Sequence, residues 1–283
     1  MLKTKVGRPL GGLLAALILS GCAAQVSFLN VAPNAPVRTP ATLYRPAGAG
    51  PFPAVVLMHG CEGITASLHA WAGWFSERGY VALVVDSWVP RGLTEICSKE
   101  GPEIDRFWRF DDAMGALRYL QSRGDVDPAR IGAIGWSNGG VYAMAVVNGP
   151  SLERAVKRGL TLPQPGYAAA VGIYPGGCFS LVEERVVKPL LVLIGEADDW
   201  TLASECVQMV KAMRARGADA SIVTYPGVYH YFDVEGQRPG VLTNVENRNR
   251  PGGCCGATVG YNAAAAANAR RQVEEFFARH LKP

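Results

Sequence analysis

The chain has 283 residues, of which 49% are hydrophobic and 18% charged, and no Ser/Gly-rich or charged linker divides its middle. That balance argues for one large globular domain over a disordered, collagen-like or solenoid chain. The formal net charge is +4, but Lys3, Lys5 and Arg8 supply three of the positive charges, so without this leader four less three leaves +1. So small an excess cannot neutralise a row of phosphates, which argues against nucleic-acid binding through a basic surface.

In chain order, the basic residues Lys3, Lys5 and Arg8 precede the apolar stretch Leu10 to Leu19. That stretch is too short for a stable bilayer anchor and reads as a secretory signal. It closes with Leu19-Ser20-Gly21-Cys22, which resembles the bacterial lipobox. The resemblance implies cleavage before Cys22 and acylation of its thiol; the alternative is an ordinary signal peptide with a chance cysteine. Residues 1–21 are therefore expected to be a lipoprotein signal peptide and residues 22–40, with three Pro and two Asn, a short tether. Residues 41–283 would then form the catalytic domain, exported and lipid-anchored in the bacterial cell envelope on the periplasmic side. Besides Cys22 there are Cys61, Cys97, Cys178, Cys206, Cys254 and Cys255, an even set in a chain bound for an oxidising compartment, so disulfides are expected. No C-x-x-C spacing occurs and there are only four His, which argues against a zinc site.

Ala54 to Met58, Tyr80 to Val85, Ile131 to Ile134, Ala168 to Ile173 and Leu190 to Ile194 are short apolar runs without alternation, the pattern of strands buried on both faces. Ala220 to Tyr225 is a further strand candidate. Helical patterns lie between them: Ala66 to Arg78, Asp105 to Arg123, Asn138 to Val147 and Ala203 to Arg216, each with Gly where it would stop. A final helix is predicted over Ala263 to Leu281. The alternation predicts an α/β fold, a mostly parallel central sheet with helices on both faces, whose chemistry sits in the loops at the carboxyl ends of the strands.

After the strand Ile131 to Ile134 comes Gly135-Trp136-Ser137-Asn138-Gly139-Gly140, then a helix. A G-x-S-x-G string in strand-turn-helix context forces the serine into a strained turn with its hydroxyl outward, and a Cβ at either neighbouring Gly would clash with the facing strand or helix. A serine needs a base, and the base needs an acid to hold its tautomer. His230, in the Pro/Gly loop after the last strand candidate, is the expected base, because His59 and His69 precede the serine and His280 lies in the last helix. The acid should follow a strand between the two, and Gly195-Glu196-Ala197-Asp198-Asp199-Trp200 does so. Asp198 is the choice and Asp199 the runner-up. His59-Gly60-Cys61-Glu62-Gly63 would present the Cys61 N–H to a developing oxyanion, and the Asn138 N–H, at the start of the helix, would be the second donor.

With this elbow, the H-G-C-E-G loop, Val85-Asp86-Ser87-Trp88-Val89-Pro90-Arg91-Gly92, the G-E-A-D-D-W loop and Tyr229-His230-Tyr231-Phe232 in order, the chain resembles the dienelactone hydrolase family of α/β-hydrolases. The resemblance implies an esterase without a cofactor, acting on a small-molecule ester or lactone, with triad Ser137, Asp198 and His230. The enzymes that name the family carry Cys where this chain has Ser137. They also hold a substrate carboxylate with arginines, and Arg91 falls near one such position, so it is a substrate-binding candidate. Glu62 stands where the family's elbow-contacting glutamate would lie, as a second substrate-site candidate or a solvated loop carboxylate. In the strand order of this fold, the strands before Cys61 and Cys97 are neighbours, as are those before Cys178 and Cys206. Disulfides Cys61–Cys97 and Cys178–Cys206 are therefore expected, with Cys254 and Cys255 paired together or reduced. The rival readings are a peptidase or acyltransferase on the same scaffold and a noncatalytic binding lipoprotein.

Overall fold

The computed structural model describes residues 23–98, 105, 107–181 and 184–282; Cys22 and the residues before it lie outside the described set. Eight strands form one sheet in the order β1-β2-β4-β3-β5-β6-β7-β8. These are β1 (Ala23–Leu29), β2 (Arg38–Tyr44), β3 (Phe52–Met58), β4 (Val81–Val85), β5 (Val126–Trp136), β6 (Ala169–Ile173), β7 (Leu190–Gly195) and β8 (Ala220–Tyr225). β1 and β2 run antiparallel to their neighbours, and the pairs from β4 through β8 are all parallel. Every residue of β4, β6 and β7 is buried, because helices cover both faces, which is why these strands read as uninterrupted apolar runs.

Helices α1 (Ala66–Glu77), α2 (Trp108–Gln121), α3 (Asn138–Ala145), α4 (Gly149–Lys157), α5 (Ala203–Ala215) and α6 (Ala263–Leu281) complete the layers. α1 and α6 share one face, where Phe75 meets Phe277 at 5.9 Å. A Cβ on Gly132 would strike Phe277, whereas one on Gly135, three residues along β5 and so on the other face, would strike the backbone of α3. In register, Met58 pairs with Gly135, Trp136 with Ile173, Ile173 with Leu193 and Gly195 with Tyr225. This alignment brings the loops after β3, β5, β6, β7 and β8 to one edge of the sheet.

Two expectations need correction. Residues 23–40, expected as part of the tether, do not form one: β1 and β2 add two antiparallel strands to the sheet, and Phe28, Asn30 and Val31 are buried between them and α2. Pro40 belongs to β2, near the sheet edge, where its missing N–H is tolerated. Gly149 does not stop a helix but starts α4, with the Asn148 side chain accepting from Ser151 N–H and Pro150 in the first turn. A small antiparallel pair, β9 (Gly240–Leu242) and β10 (Ala257–Val259), brackets the loop after His230.

The cysteines pair as Cys61–Cys97, Cys178–Cys206 and the adjacent Cys254–Cys255. Cys178 and Cys206 lie 28 residues apart in sequence and are both buried, tying the turn after β6 to α5. Closing a loop of that length restricts the unfolded chain by about 3 kcal/mol. Cys178→Ala/Cys206→Ala is therefore expected to lower the urea midpoint by a corresponding amount under oxidising conditions. Reductant should abolish most of the difference between the two proteins; a difference that survives reduction would assign it to packing instead.

Candidate active site

β5 ends at Trp136, and Ser137 follows with φ 50° and ψ −117° before α3 begins. No ordinary side chain adopts this conformation without strain, so it persists only where surrounding bonds impose it. Ser137 N–H donates to the Ile173 carbonyl at 2.9 Å, and the Ser137 carbonyl accepts from Gly140 N–H at 3.0 Å and Gly176 N–H at 3.3 Å. A Cβ on Gly135 would run into the backbone of Gly139 and Gly140, and one on Gly139 into the Met58 and His59 carbonyls. Both glycines are thus required by contact, which lets α3 start directly against the ends of β3 and β5.

His230 lies on the loop after β8 with its Nδ1 2.6 Å from Asp198 Oδ2, both side chains fully buried. Asp198 is held in turn: Oδ1 accepts from Trp200 and Thr201 N–H, each at 2.9 Å, and Oδ2 accepts from Thr201 Oγ1 at 2.9 Å. With Nδ1 engaged, the buried Nε2 of His230 has no hydrogen-bond partner. The Tyr174 ring packs on the imidazole at 4.3 Å, and Tyr174 immediately follows the residue that accepts from Ser137 N–H. Asp199, the alternative acid, turns the other way. Its carboxylate meets Arg250 at 2.6 Å and accepts from Thr258 N–H at 2.7 Å and Thr258 Oγ1 at 2.8 Å, so it anchors the loop before β10.

The loop after β3 is fixed by its own histidine. His59 Nδ1 lies 2.7 Å from the Gly60 carbonyl and Nε2 lies 3.2 Å from Ser87 N. Ser87 N–H can only donate, so Nε2 accepts, Nδ1 carries the proton, and the ring is neutral. Burial, reinforced by the Arg109 charge, pushes the His59 pKa well below its ordinary value, in keeping with that tautomer. Because the Gly60 carbonyl and the Cys61 N–H belong to one planar peptide, holding the first orients the second away from it. The disulfide to Cys97 and the Cys61 carbonyl, which accepts from Ile96 N–H and Trp88 Nε1, secure the same residue.

Glu62 lies beside this site rather than in solvent. Burial pushes its carboxyl up, and a bond to its own backbone, the His230 charge, the Tyr231 hydroxyl and Arg109 offset part of that. Its Oε2 is buried without a partner.

Arg91 does not join the group. Its guanidinium grips the Asp112 carboxylate with both nitrogens, at 2.8 and 3.0 Å, and donates to the Ser87 carbonyl at 2.6 Å, so its fork is already occupied inside the protein. The substrate role expected from its place in the chain is therefore replaced by an architectural one.

Asp233, not singled out in the sequence, accepts from Trp71 Nε1 at 2.8 Å, Trp136 Nε1 at 2.7 Å and the Tyr174 hydroxyl at 2.7 Å. One buried carboxylate thus fixes the residue before Ser137, the ring on His230 and helix α1. Its place three residues after His230 in an aromatic string was the available signal. Thr201 went unread because a hydroxyl in a loop carries no spacing of its own.

A sequence model described as "Dienelactone hydrolase family" matches residues 39–281. The chain is 26% identical over 197 residues to a Bradyrhizobium sp. protein named "Probable 2-oxo-3-(5-oxofuran-2-ylidene)propanoate lactonase", covering 68% of this chain and 78% of that one. Among solved structures it is similar in fold to a dienelactone hydrolase-like promiscuous phosphotriesterase from metagenomic libraries, with a TM-score of 0.63, 17% identity, and 92% and 99% of the two chains covered. It is also similar to a thermophilic esterase of Thermogutta terrifontis, with a TM-score of 0.61, 18% identity, and 94% and 97% covered.

Two outcomes follow from this geometry. Asp198→Asn should reduce kcat for ester hydrolysis by about 10³- to 10⁴-fold, because the amide no longer fixes the proton on Nδ1, while Asp199→Asn should chiefly lower the melting temperature. Equal kinetic losses in the two variants would refute the assignment. For Glu62, the folded pKa is raised, so its contribution to stability is complete below the unfolded carboxylate pKa and is lost as pH rises through the folded value. Glu62→Gln should flatten that decline, read as urea midpoints at one pH below and one above the carboxylate range; parallel slopes in the two proteins would count against it.

Proposed function

Since the chain belongs to the dienelactone hydrolase family and is a carboxylic ester hydrolase, we propose that it is a serine hydrolase cleaving a small ester or lactone through an acyl-enzyme at Ser137. The observation that carries this reading is the buried His230–Asp198 pair, whose Nε2 is left without a partner beside a strained serine turn. Ser137 Oγ attacks the carbonyl carbon as His230 Nε2 takes its proton, and the oxygen's charge falls on the N–H groups of Cys61 and Asn138. Collapse expels the alkoxide, which takes the proton from His230. Water then adds to the acyl-enzyme by the same route in reverse, releasing the acid and restoring Ser137. For a lactone the leaving alkoxide stays attached to the acyl group, and the product is a single hydroxy acid.

The name of the Bradyrhizobium relative points to a lactone. Because Arg91 is committed to Asp112, the reading does not rely on that arginine to clamp a substrate carboxylate, and uncharged esters and lactones are the compounds to test first. The leader supports an exported chain acylated at Cys22, with the domain facing the periplasm. β1 begins at Ala23, so the proposed lipid would attach one residue from the sheet.

A fluorophosphonate is expected to label the wild-type protein once, at Ser137, and Ser137→Ala should lose both labelling and ester turnover while melting at an unchanged temperature. Turnover by Ser137→Ala at the wild-type rate would overturn the reading. Intact mass of the membrane fraction should show a chain starting at Cys22 with an acyl increment, and Cys22→Ala should be released; a soluble, unacylated mature chain would leave an ordinary secretory signal.

A further inference from the structure

Arg109, in the first turn of α2, is 1% exposed, one of the largest buried side chains in the protein. Its guanidinium lies between the rings of Trp88, at 4.8 Å, and Tyr142, at 5.2 Å. Its hydrogen bonds go to neutral acceptors: one nitrogen donates to Asn138 Oδ1 and another to the His59 carbonyl at 2.5 Å. Nε is buried with no partner, and among the described residues no carboxylate forms an ion pair with Arg109. Of the acids on the same helix, Asp111 is paired with Arg158, and Asp112 is taken by Arg91 and also accepts from Asn30 Nδ2 at 2.9 Å and Thr39 Oγ1 at 3.1 Å. A buried cation without a counter-ion is costly, and proteins ordinarily pair it or expose it. Desolvation of this one is reflected in a pKa lowered to about 10.

The two acceptors are the informative part. Asn138 is the residue whose N–H the serine mechanism uses as one oxyanion donor, and the His59 carbonyl opens the peptide that leads to the other, Cys61 N–H. The two donors come from segments far apart in sequence, one after β3 and one after β5, and Arg109 reaches both with a single planar fork. We infer that Arg109 is a positioning residue that sets the separation of the two oxyanion donors, and that its charge, held in no ion pair among the described residues and only partly offset by the nearby Asp112 and Glu62 carboxylates, is answered further by the oxyanion of the transition state. This inference rests on the serine acyl-enzyme reading. It also accounts for the aromatic walls: Trp88 and Tyr142 keep water from the guanidinium, so its field is not screened. His59 then has a second task, because its neutral ring fixes the adjoining Gly60–Cys61 peptide while its carbonyl takes the arginine.

The test compares Arg109→Lys, Arg109→Met and Asn138→Ala with wild type. Loss of one oxyanion donor typically costs about 10²- to 10³-fold in kcat, and a loss of about 10²-fold is expected for Arg109→Met with KM changed by less than about threefold. Affinity for a trifluoromethyl ketone, which forms the tetrahedral adduct at the serine, should fall in parallel with kcat, while affinity for the unreactive ketone's methylene analogue stays constant. Arg109→Lys, which keeps the charge but not the fork, should fall between. If Arg109→Met does not fold, the double variant Arg109→Lys/Asn138→Ala decides the matter: its loss in kcat should be smaller than the product of the two single losses. Multiplicative losses, wild-type kcat in a folded Arg109→Lys, or equal weakening of the ketone and its analogue would overturn the inference. Failure of wild-type protein to be labelled at Ser137 by a fluorophosphonate would instead sink the serine reading itself.

Discussion

The turn at Ser137 is the constraint from which the rest of the site follows. An L-residue at φ 50° and ψ −117° stores strain of about 1–3 kcal/mol, and here it is imposed by hydrogen bonds from both sides of the residue. In return, α3 begins at the sheet edge with its first N–H groups and the positive end of its dipole directed at the point where the serine hydroxyl emerges. That approach is possible only because Gly135 and Gly139 leave no side chain between β3, β5 and α3. The same closeness puts the His59 carbonyl within reach of an arginine that also holds Asn138. Strain in one residue thus accompanies the close approach of β3, β5 and α3, and the cost is met by the packing of the surrounding sheet.

Two buried carboxylates distribute that rigidity. Asp233 joins α1, the end of β5 and the turn after β6 through three donors, and because it sits on the histidine loop it couples His230 to all of them. Asp112 joins Arg91, Asn30 and Thr39, and so ties the two antiparallel N-terminal strands to the loop after β4. A buried carboxylate that lost even one of these donors would be left partly desolvated without compensation, which makes each network close to all-or-none. This explains how residues 23–44 come to be integral to the domain although they contribute no group to the chemistry. Tyr174 and Tyr231, at φ 37° and 59°, flank His230 and show that the strain is not confined to the serine.

Much of this was legible in the sequence, and the gaps have physical reasons. Parallel strands covered on both faces are apolar throughout, so β3, β4, the second half of β5, β6 and β7 are legible as apolar runs, β8 is legible from its β-branched and aromatic residues although it is only partly buried, and glycines at helix ends place α1, α2 and α5. β1 escaped because it is an edge strand, mostly exposed, with only Phe28 buried. β2 is hidden because Pro40 mimics a loop, and α4 because Gly149 resembles a helix stop although Asn148 caps a helix start there. Ser137, Asp198 and His230 stand in motifs whose spacing is enforced by one turn or one loop, so chain order was sufficient to single them out, and the fold places Asp198 against His230. Arg91, Arg109 and Asp233 act through partners that are distant in sequence. Nothing near Arg91 announces Asp112, and nothing near Arg109 announces His59 or Asn138, since the contacts exist only once the strands are in register.

The loops themselves present the last problem, because they leave the sheet and its hydrogen bonds yet must hold side chains to fractions of an ångström. Ordering such segments costs about 1–2 kcal/mol per residue in backbone entropy, and this chain offsets it with covalent links placed in the loops. Cys61–Cys97 ties the loop after β3 to the segment after β4, and Cys178–Cys206 ties the turn after β6 to α5. The segment at Cys97 then accepts from Glu246 N–H, and the Glu246 carbonyl accepts from Trp200 Nε1, so the loop after β3, the loop after His230 and the loop that carries Asp198 form one connected layer over the sheet edge. Trp200 also packs against His230 at 5.0 Å, which carries that layer onto the base. Disulfides persist where thiols are kept oxidised, so links of this kind would hold the layer only in an oxidising compartment. The leader and the loop chemistry, at opposite levels of the structure, support the same proposed compartment.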